Sequence, residues 1–245
     1  PEVIDKGVIA ASAGNHAQGV ALSAKTLNTT AIIVMPKTTP EIKVKSVRSL
    51  GGEVILHGDN YDEASKRAEE IAKEKELMII PPYDDPYVVA GQGTVGMEIL
   101  QQSKKDIDAI FVPVGGGGLI AGIAVYFKSL SPGTKIIGVE PLEAPSMSIA
   151  LKKGMPVTLN KVGIFADGAA VKRVGDLTFK LTEKYVDEML CVSNDEICAA
   201  IKDIYEDTRS ISEPAGALAL AGLKQYSVKN DLVCKNYVAI CSGAN

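Results

Sequence analysis

Four consecutive glycines, Gly115 to Gly118, constrain this chain more than any other stretch. Before them, Ile110 to Val114 are apolar and mostly short or β-branched, which suits a strand buried on both faces of a parallel sheet. After them, Leu119 to Leu130 place apolar residues at helical spacing. Residues without Cβ atoms cost backbone entropy on folding, but they let the main chain take unusual dihedrals and approach a ligand closely. The first N–H groups of the helix that follows lack intrahelical partners and lie at the positive end of its dipole, so a phosphate is the expected occupant. A turn with no ligand between the same elements needs only one or two glycines.

The rest of the chain alternates in the same manner. Val8 to Ala11 reads as a strand, and Ser12-Ala-Gly-Asn-His opens a helix from about Ala17 to Leu27, which makes a second strand–loop–helix anion site. Ala31 to Val34 is a strand, and Thr39-Pro40-Glu41 supplies an N-cap and a proline at N1 for a helix to Leu50. Glu53 to Leu56 is the next strand, Asn60 with Glu63 is a capping-box start for a charged helix to about Lys75, and Met78 to Ile80 is a strand. Pro81-Pro-Tyr-Asp-Asp-Pro86 is too rich in proline for a regular element and divides the chain into lobes 5–85 and 86–245. Beyond it come a helix from Val88 to Gln102 whose Gly91, Gly93 and Gly96 permit close packing or a ligand, the glycine loop, and a strand from Lys135 to Val139 ending at Glu140. Ser193-x-x-Glu196 caps a helix to about Thr208, Ala215 to Tyr226 is helical, and Tyr237 to Cys241 is a strand that feeds Ser242-Gly-Ala-Asn245. The expected fold class is α/β throughout, and 245 residues with 46% hydrophobic content can fill such cores.

The net charge of -4 gives no electrostatic support for a nucleic-acid or anionic-membrane partner, which leaves small metabolites. Ala109 to Phe127 carries no charge and is about long enough to cross a bilayer, but Pro113 and the glycines argue against a continuous helix. Cys191, Cys198, Cys234 and Cys241 form no C-x-x-C pair and lie mostly in apolar segments, as reduced buried thiols of a cytoplasmic protein would. The chain starts at Pro1 without an initiator methionine, so we expect a piece of a longer chain, whose targeting segment could direct it to a plastid or an organellar matrix.

The glycine loop also satisfies a dinucleotide fingerprint, Gly116-x-Gly118-x-x-Ala121, with Glu140 about where a ribose-binding acid belongs. That fingerprint uses two of the four glycines and leaves the Ser12 loop and Ser242 unexplained.

Ser12-Ala-Gly-Asn-His-Ala-Gln-Gly19, Pro113-Val-Gly-Gly-Gly-Gly-Leu119, Glu213-Pro-Ala-Gly-Ala-Leu218 and Ser242-Gly-Ala-Asn245, in this order, closely resemble the biosynthetic threonine dehydratases, within the fold-type II pyridoxal-phosphate enzymes. The resemblance covers essentially the whole chain and implies a tryptophan-synthase-β-like fold of two open twisted lobes, the first binding substrate and the second cofactor. It implies pyridoxal 5'-phosphate as cofactor, its phosphate held by the N–H groups of Gly115, Gly116, Gly117, Gly118 and Leu119. Asn15 would bond the ring 3'-oxygen, Gly168 would lie beside the ring, and Ser242 would face the pyridine nitrogen. A hydroxyl there leaves the ring neutral, which favours β-elimination over transamination. Ser12, Ala13, Gly14, Asn15 and His16 would line the site of the substrate carboxylate. His57 reads as a surface residue.

The activity implied is conversion of L-threonine to 2-oxobutanoate and ammonia in isoleucine biosynthesis, with L-serine a poorer substrate and a homo-oligomer as the full-length state. Three departures bear on it. Ala13 stands where related serine racemases have a second serine, which favours elimination over racemisation. Glu140 and Ala144 resemble the divalent-metal loop of those racemases, but Ser146 replaces an acid, so no strong metal site is expected. The Schiff-base lysine belongs to a Ser-Phe-Lys type motif expected upstream of Pro1; no such motif occurs here, so no catalytic residue is assigned within the chain. A serine dehydratase or racemase-like enzyme and a noncatalytic cofactor-binding module therefore remain alternatives.

Overall fold

A computed structural model describes residues 6–230 and 235–244. The chain divides into two compact units, Pro1–Pro82 and Tyr83–Asn245.

In the first unit, strands β1 (Val8–Ala11), β2 (Ala31–Met35), β3 (Glu53–Leu56) and β4 (Met78–Ile79) form a parallel sheet in the order β3-β2-β1-β4. Helices α1 (Asn15–Thr26), α2 (Glu41–Ser49) and α3 (Tyr61–Lys75) cover it. Side chains alternate across a strand, so Ala10, Ile33 and Met35 pack with Ala17, Ala21, Val44 and Val47 of α1 and α2. Their neighbours Ile9, Ala11, Ile32 and Val34 pack with Ala64, Ala68 and Ile71 of α3. Burial on both faces explains why β1 and β2 are apolar without alternation.

Two helix starts differ from expectation in detail. Pro40, not Thr39, is the N-cap of α2, with its carbonyl accepting from Lys43 and Val44 N–H at 3.0 and 3.3 Å, and the Thr39 hydroxyl caps nothing. At α3, Asn60 accepts from Glu63 N–H at 3.0 Å, while Glu63 reaches back to the Asp59 N–H at 3.0 Å rather than to that of Asn60.

The second unit repeats the plan. Strands β5 (Ala109–Pro113), β6 (Lys135–Pro141), β7 (Glu188–Val192) and β8 (Tyr237–Ala239) are parallel in the order β7-β6-β5-β8. Around them lie α4 (Pro86–Gln102), α5 (Gly118–Leu130), α6 (Ser146–Lys153), α7 (Asp176–Tyr185), α8 (Asn194–Thr208) and α9 (Pro214–Lys229), with a 3-10 turn at Asp167–Ala169. One face of β5 and β6, through Phe111, Ile137 and Val139, packs on α8 and α9. The other, through Ile110, Val112 and Ile136, packs on α5, α6 and α7. The strand β7 and the helices α6 and α7 were not anticipated. Their segments, half-exposed or amphipathic over five to ten residues, give only weak periodic signals.

α4 begins at Pro86, two residues before the predicted start. Asp85 caps it, accepting from Tyr87 and Val88 N–H at 2.8 and 3.1 Å, and proline fits N1 because it needs no donor there. The proline-rich segment thus ends by starting a helix. The cysteines differ too: Cys198 and Cys241 are exposed and Cys191 is half-buried, because α8 turns Cys198 outward and Cys241 follows the end of β8; Cys234 lies outside the described residues. No helix among the described residues is long and apolar enough to cross a membrane, since residues 109–127 divide into β5, the loop and part of α5.

In each unit the fourth strand returns to pair with the first, so β1 and β5 are where the strand order reverses. Ligands of open parallel sheets bind beyond the carboxyl ends of strands at such points. Both candidate loops, Ser12 to Gly14 and Gly115 to Gly117, follow these two strands.

α5 presses on α4 at glycines. A Cβ at Gly122 would strike the Val89 carbonyl oxygen and lie 2.6 Å from the Gly93 nitrogen, both backbone atoms that cannot rotate away. Gly91, on the same α4, has nothing within 4 Å of its would-be Cβ. Gly122→Ala is therefore expected to destabilise by about 1–3 kcal/mol or more through overpacking. Gly91→Ala is expected to stabilise by about 0.4–1 kcal/mol by restricting the unfolded chain. Urea unfolding of both variants checks the contrast.

Candidate functional site

In the second unit the site begins where β5 ends. Gly115 through Gly117 form the turn, Gly117 is the N-cap of α5 at φ +95°, and Gly118 and Leu119 are its first residues. The positive φ is what a side chain would resist, and a Cβ on Gly117 would also meet Met147 Cε at 2.7 Å and Thr178 Cβ at 2.9 Å. The first intrahelical bond is donated by Ala121 to the Gly117 carbonyl at 3.0 Å. Among the described residues, the N–H groups of Gly115 to Leu119 meet no protein acceptor. Gly116, Gly117 and Gly118 are nevertheless buried. Buried backbone donors are almost always paired, so this loop calls for an anion with several acceptor oxygens, and a phosphate fits it.

The carbonyls of the same loop face the other way. Gly116 O accepts from the Thr178 hydroxyl at 2.6 Å and from Gly175 N–H at 3.4 Å. The Tyr83 ring lies where a Cβ on Gly116 would be, a Cβ on Gly118 would sit 3.1 Å from Tyr83 Cβ, and the Tyr83 hydroxyl donates to Arg173 O at 3.1 Å.

Sequence-distant residues join this loop through the sheet and α9. β5 and β8 pair Ala109 with Tyr237 and Phe111 with Ala239, so the chain leaves both strands on the same side, towards Gly115 on one and Ser242 on the other. Gly243 O accepts from Ser212 Oγ and Glu213 N–H, each at 3.1 Å, which fixes Ser242 and Gly243 at the start of α9. Gly168 packs against the same helix start, its would-be Cβ 3.0 Å from Ala215 Cβ and 3.6 Å from Glu213 Oε1. Its carbonyl would lie 3.4 Å from a Cβ on Gly115. Gly115, Gly168, Glu213 and Ser242 are thus neighbours around one end of one sheet.

In the first unit, Ser12 donates its N–H to Val34 O at 3.2 Å and accepts the Gly14 N–H on its hydroxyl at 3.2 Å, closing a tight turn after β1. Gly14 is the N-cap of α1 and offers no side chain to cap it. Asn15 is the first helical residue and exposed, Ala13 is half-buried, and His16 follows within the first turn. The His16 Nε2 lies 3.0 Å from Ile80 O, and a carbonyl only accepts, so Nε2 carries the proton and Nδ1 is left as an acceptor.

Glu140 is fully buried at the end of β6. Its carboxylate accepts from Met147 N–H at 2.6 Å, Ser148 N–H at 2.9 Å and the Ser148 hydroxyl at 2.7 Å, so it anchors the N-terminus of α6. Burial pushes its carboxyl above the usual carboxylate range, and these hydrogen bonds oppose the shift. The ribose-binding role that the dinucleotide fingerprint assigns to Glu140 is not available to oxygens held this way. Ser146 is committed as well, donating to Val171 O.

Tyr83, Asp84 and Thr178 escaped the sequence reading although they touch or brace the loop. Asp85-Pro86 carried a legible N-cap signal; nothing local marks Thr178, which is a mid-sequence threonine until α7 is packed.

With this geometry in hand, comparison with known proteins is specific. The family model described as pyridoxal-phosphate dependent enzyme matches residues 3–243. The chain belongs to this family. Among curated relatives, the L-threonine dehydratase biosynthetic IlvA of Haemophilus influenzae is 58% identical over 239 residues, covering 98% of this chain and 46% of the relative. The threonine dehydratase 1 biosynthetic, chloroplastic, of Solanum lycopersicum is 58% identical over 244 residues, covering 100% of this chain and 40% of the relative. The chain thus spans less than half the length of these two relatives. Among solved structures, the processed form of threonine deaminase isoform 2 from Solanum lycopersicum superposes with a TM-score of 0.93 at 54% identity, covering 100% of this chain and 71% of that one. Maize serine racemase gives a TM-score of 0.94 at 34% identity, covering 100% and 74%. Membership of a pyridoxal-phosphate dependent family agrees with a buried glycine loop whose free N–H groups suit a phosphate.

His16 supplies a pH test. Burial holds its imidazole below the ordinary histidine value of 6.5, and the bond to Ile80 only partly opposes this. Because the folded state favours the neutral ring, its contribution to stability is present above pH 6.5 and is lost as pH falls through the lowered folded value. The His16 ring protons, followed by NMR, are expected to titrate with a midpoint below 6.5; a midpoint at or above it contradicts the buried Nε2–H arrangement.

Proposed function

We propose that the protein is a pyridoxal-phosphate dependent threonine dehydratase, converting L-threonine to 2-oxobutanoate and ammonia. The observation that carries the proposal is the convergence of the N–H groups of Gly115 to Leu119, which meet no protein acceptor and are buried at Gly116 to Gly118, with Ser242 at one end of a parallel sheet, in a chain so similar to threonine dehydratases. What pyridoxal phosphate supplies when bound is an electron sink for the α-carbon of an amino acid. The residues of this chain then have separable tasks. The loop N–H groups hold the phosphate, with the dipole of α5 adding to the attraction. Gly168 would leave room beside the ring, and Asn15 would bond its 3'-oxygen. The Ser242 hydroxyl, which does not ionise, would face the pyridine nitrogen without a negative charge, an arrangement that favours β-elimination over transamination. Ser12, Ala13, Gly14 and His16 form the substrate-carboxylate loop, using the uncapped start of α1.

Ala13 favours elimination over the racemase reading, because a methyl group there can neither give nor take a proton. The proposed metabolic place is the first committed step towards isoleucine, in the cytoplasm or in a plastid or organellar matrix, with the protein acting as a homo-oligomer.

The test is direct. The full-length protein, with the upstream segment expected to carry the Schiff-base lysine, should accumulate 2-oxobutanoate when supplied with pyridoxal phosphate and L-threonine, and L-serine should react more slowly. Failure to form 2-oxobutanoate from L-threonine overturns the assignment, and D-serine formation from L-serine at the faster rate would replace it with the racemase reading.

A further inference from the structure

The peptide unit joining Gly116 to Gly117 is held from behind. Its carbonyl accepts the Thr178 hydroxyl at 2.6 Å, and Thr178 is fully buried in the first turn of α7. A trans peptide is planar, with its C=O and N–H pointing in opposite directions, and the described residues contain no cis bond. Fixing the Gly116 carbonyl on Thr178 therefore aims the Gly117 N–H away from α7. That N–H is one of the unpartnered donors at the start of α5.

Thr178 is fixed in turn by a residue far away in sequence. The N-cap of α7 is Gly175, which has no side chain to cap with. The Asp84 carboxylate does the capping instead, accepting from Asp176 N–H and Leu177 N–H at 2.9 Å and from Thr178 N–H at 3.2 Å. The absence of a Cβ at Gly175 is what admits it, since a Cβ there would collide with Asp84. The adjacent Tyr83 lays its ring over Gly116 and its Cβ and backbone against Gly118.

We propose that Thr178, braced by Asp84 across the start of α7, is a positioning residue that aims the Gly117 N–H and thereby sets the affinity of the loop for a phosphate group. The inference rests on the cofactor reading above but concerns only residues of this chain. Thr178 touches no phosphate; it acts through one peptide plane. The hydroxyl is the part that matters, because it alone bonds the Gly116 carbonyl. Valine keeps the shape and leaves the Gly116 carbonyl without its donor, whereas serine keeps the donor.

Binding of pyridoxal phosphate, pyridoxal and inorganic phosphate to the purified protein, followed by fluorescence titration, tests this without reference to turnover. In the wild type, pyridoxal phosphate should bind more tightly than pyridoxal; no binding of either overturns the cofactor reading, and this inference with it. Thr178→Val should weaken pyridoxal phosphate and inorganic phosphate alike, by about tenfold for one lost charge-orienting hydrogen bond. Pyridoxal, which lacks the phosphate, should bind Thr178→Val as it binds the wild type, and Thr178→Ser should restore the phosphate affinity. An equal loss for pyridoxal and pyridoxal phosphate would mean general disruption of the site, and no loss for either would mean the loop aims itself; both outcomes overturn the proposal while leaving the cofactor reading intact. If Thr178→Val does not fold, Asp84→Asn decides: it keeps the shape of the brace but removes its charge, and a phosphate-selective loss supports the proposal while wild-type binding overturns it.

Discussion

The peptide plane at Gly116 and Gly117 organises the second unit. A buried amide has two polar ends, and each must be satisfied or its burial is costly. Here the protein satisfies one end itself, through Thr178 and Gly175, and leaves the other to be satisfied by a ligand. That asymmetry suits the strand–helix turn to an anion. It also explains what surrounds the turn. Met147 and Thr178 fill the space a side chain on Gly117 would need, and Tyr83 fills the space at Gly116 and Gly118. The glycines are thus required from two directions, by the left-handed dihedral at Gly117 and by the close approach of neighbouring side chains.

Helix starts bear much of the remaining burden, and charged residues that look like catalytic candidates are committed to them. Glu140 holds α6, whose Met147 lies against Gly117 and whose Ser146 donates to Val171 beside Gly115. Asp84 holds α7 and Asp85 holds α4. Carboxylates near helix N-termini gain from the exposed N–H groups and from the dipole, so this use is physically cheap. A buried acid in such a position serves the scaffold, and its raised proton affinity follows from burial alone rather than from a part in the chemistry.

Much of the candidate site was legible because its signals are local. A glycine run between a β-branched strand and an apolar helix states its own backbone geometry, and the serine–glycine turn after β1 does the same. Strand limits at β1 and β3 and the capping box at Ser193 and Glu196, where the Ser193 side chain accepts from Glu196 N–H at 3.3 Å, were readable for the same reason. Thr39 misled because proline displaced the cap by one residue. Cys198 misled because apolar neighbours in sequence do not say which way a helical side chain turns. The competing role for Glu140 could not be dismissed before α6 was seen, since α6 itself left little trace in the sequence.

Alone, the sequence determined the alternation of strands and helices, the two loops at strand ends, and the residue types that carry phosphate and ring chemistry. Each of these depends on periodicity or on backbone preference within a few residues. Only the tertiary structure decided that Gly115, Gly168, Glu213 and Ser242 are neighbours, because that depends on β8 returning beside β5 in parallel register. It alone decided that Asp84 and Thr178 stand behind the loop, far away along the chain, since the bond from Thr178 to Gly116 spans 62 positions and that from Thr178 to Asp84 spans 94. Hydrogen bonds between residues so distant leave no pattern in one sequence, because any threonine or aspartate would read the same until the sheet brings it into place.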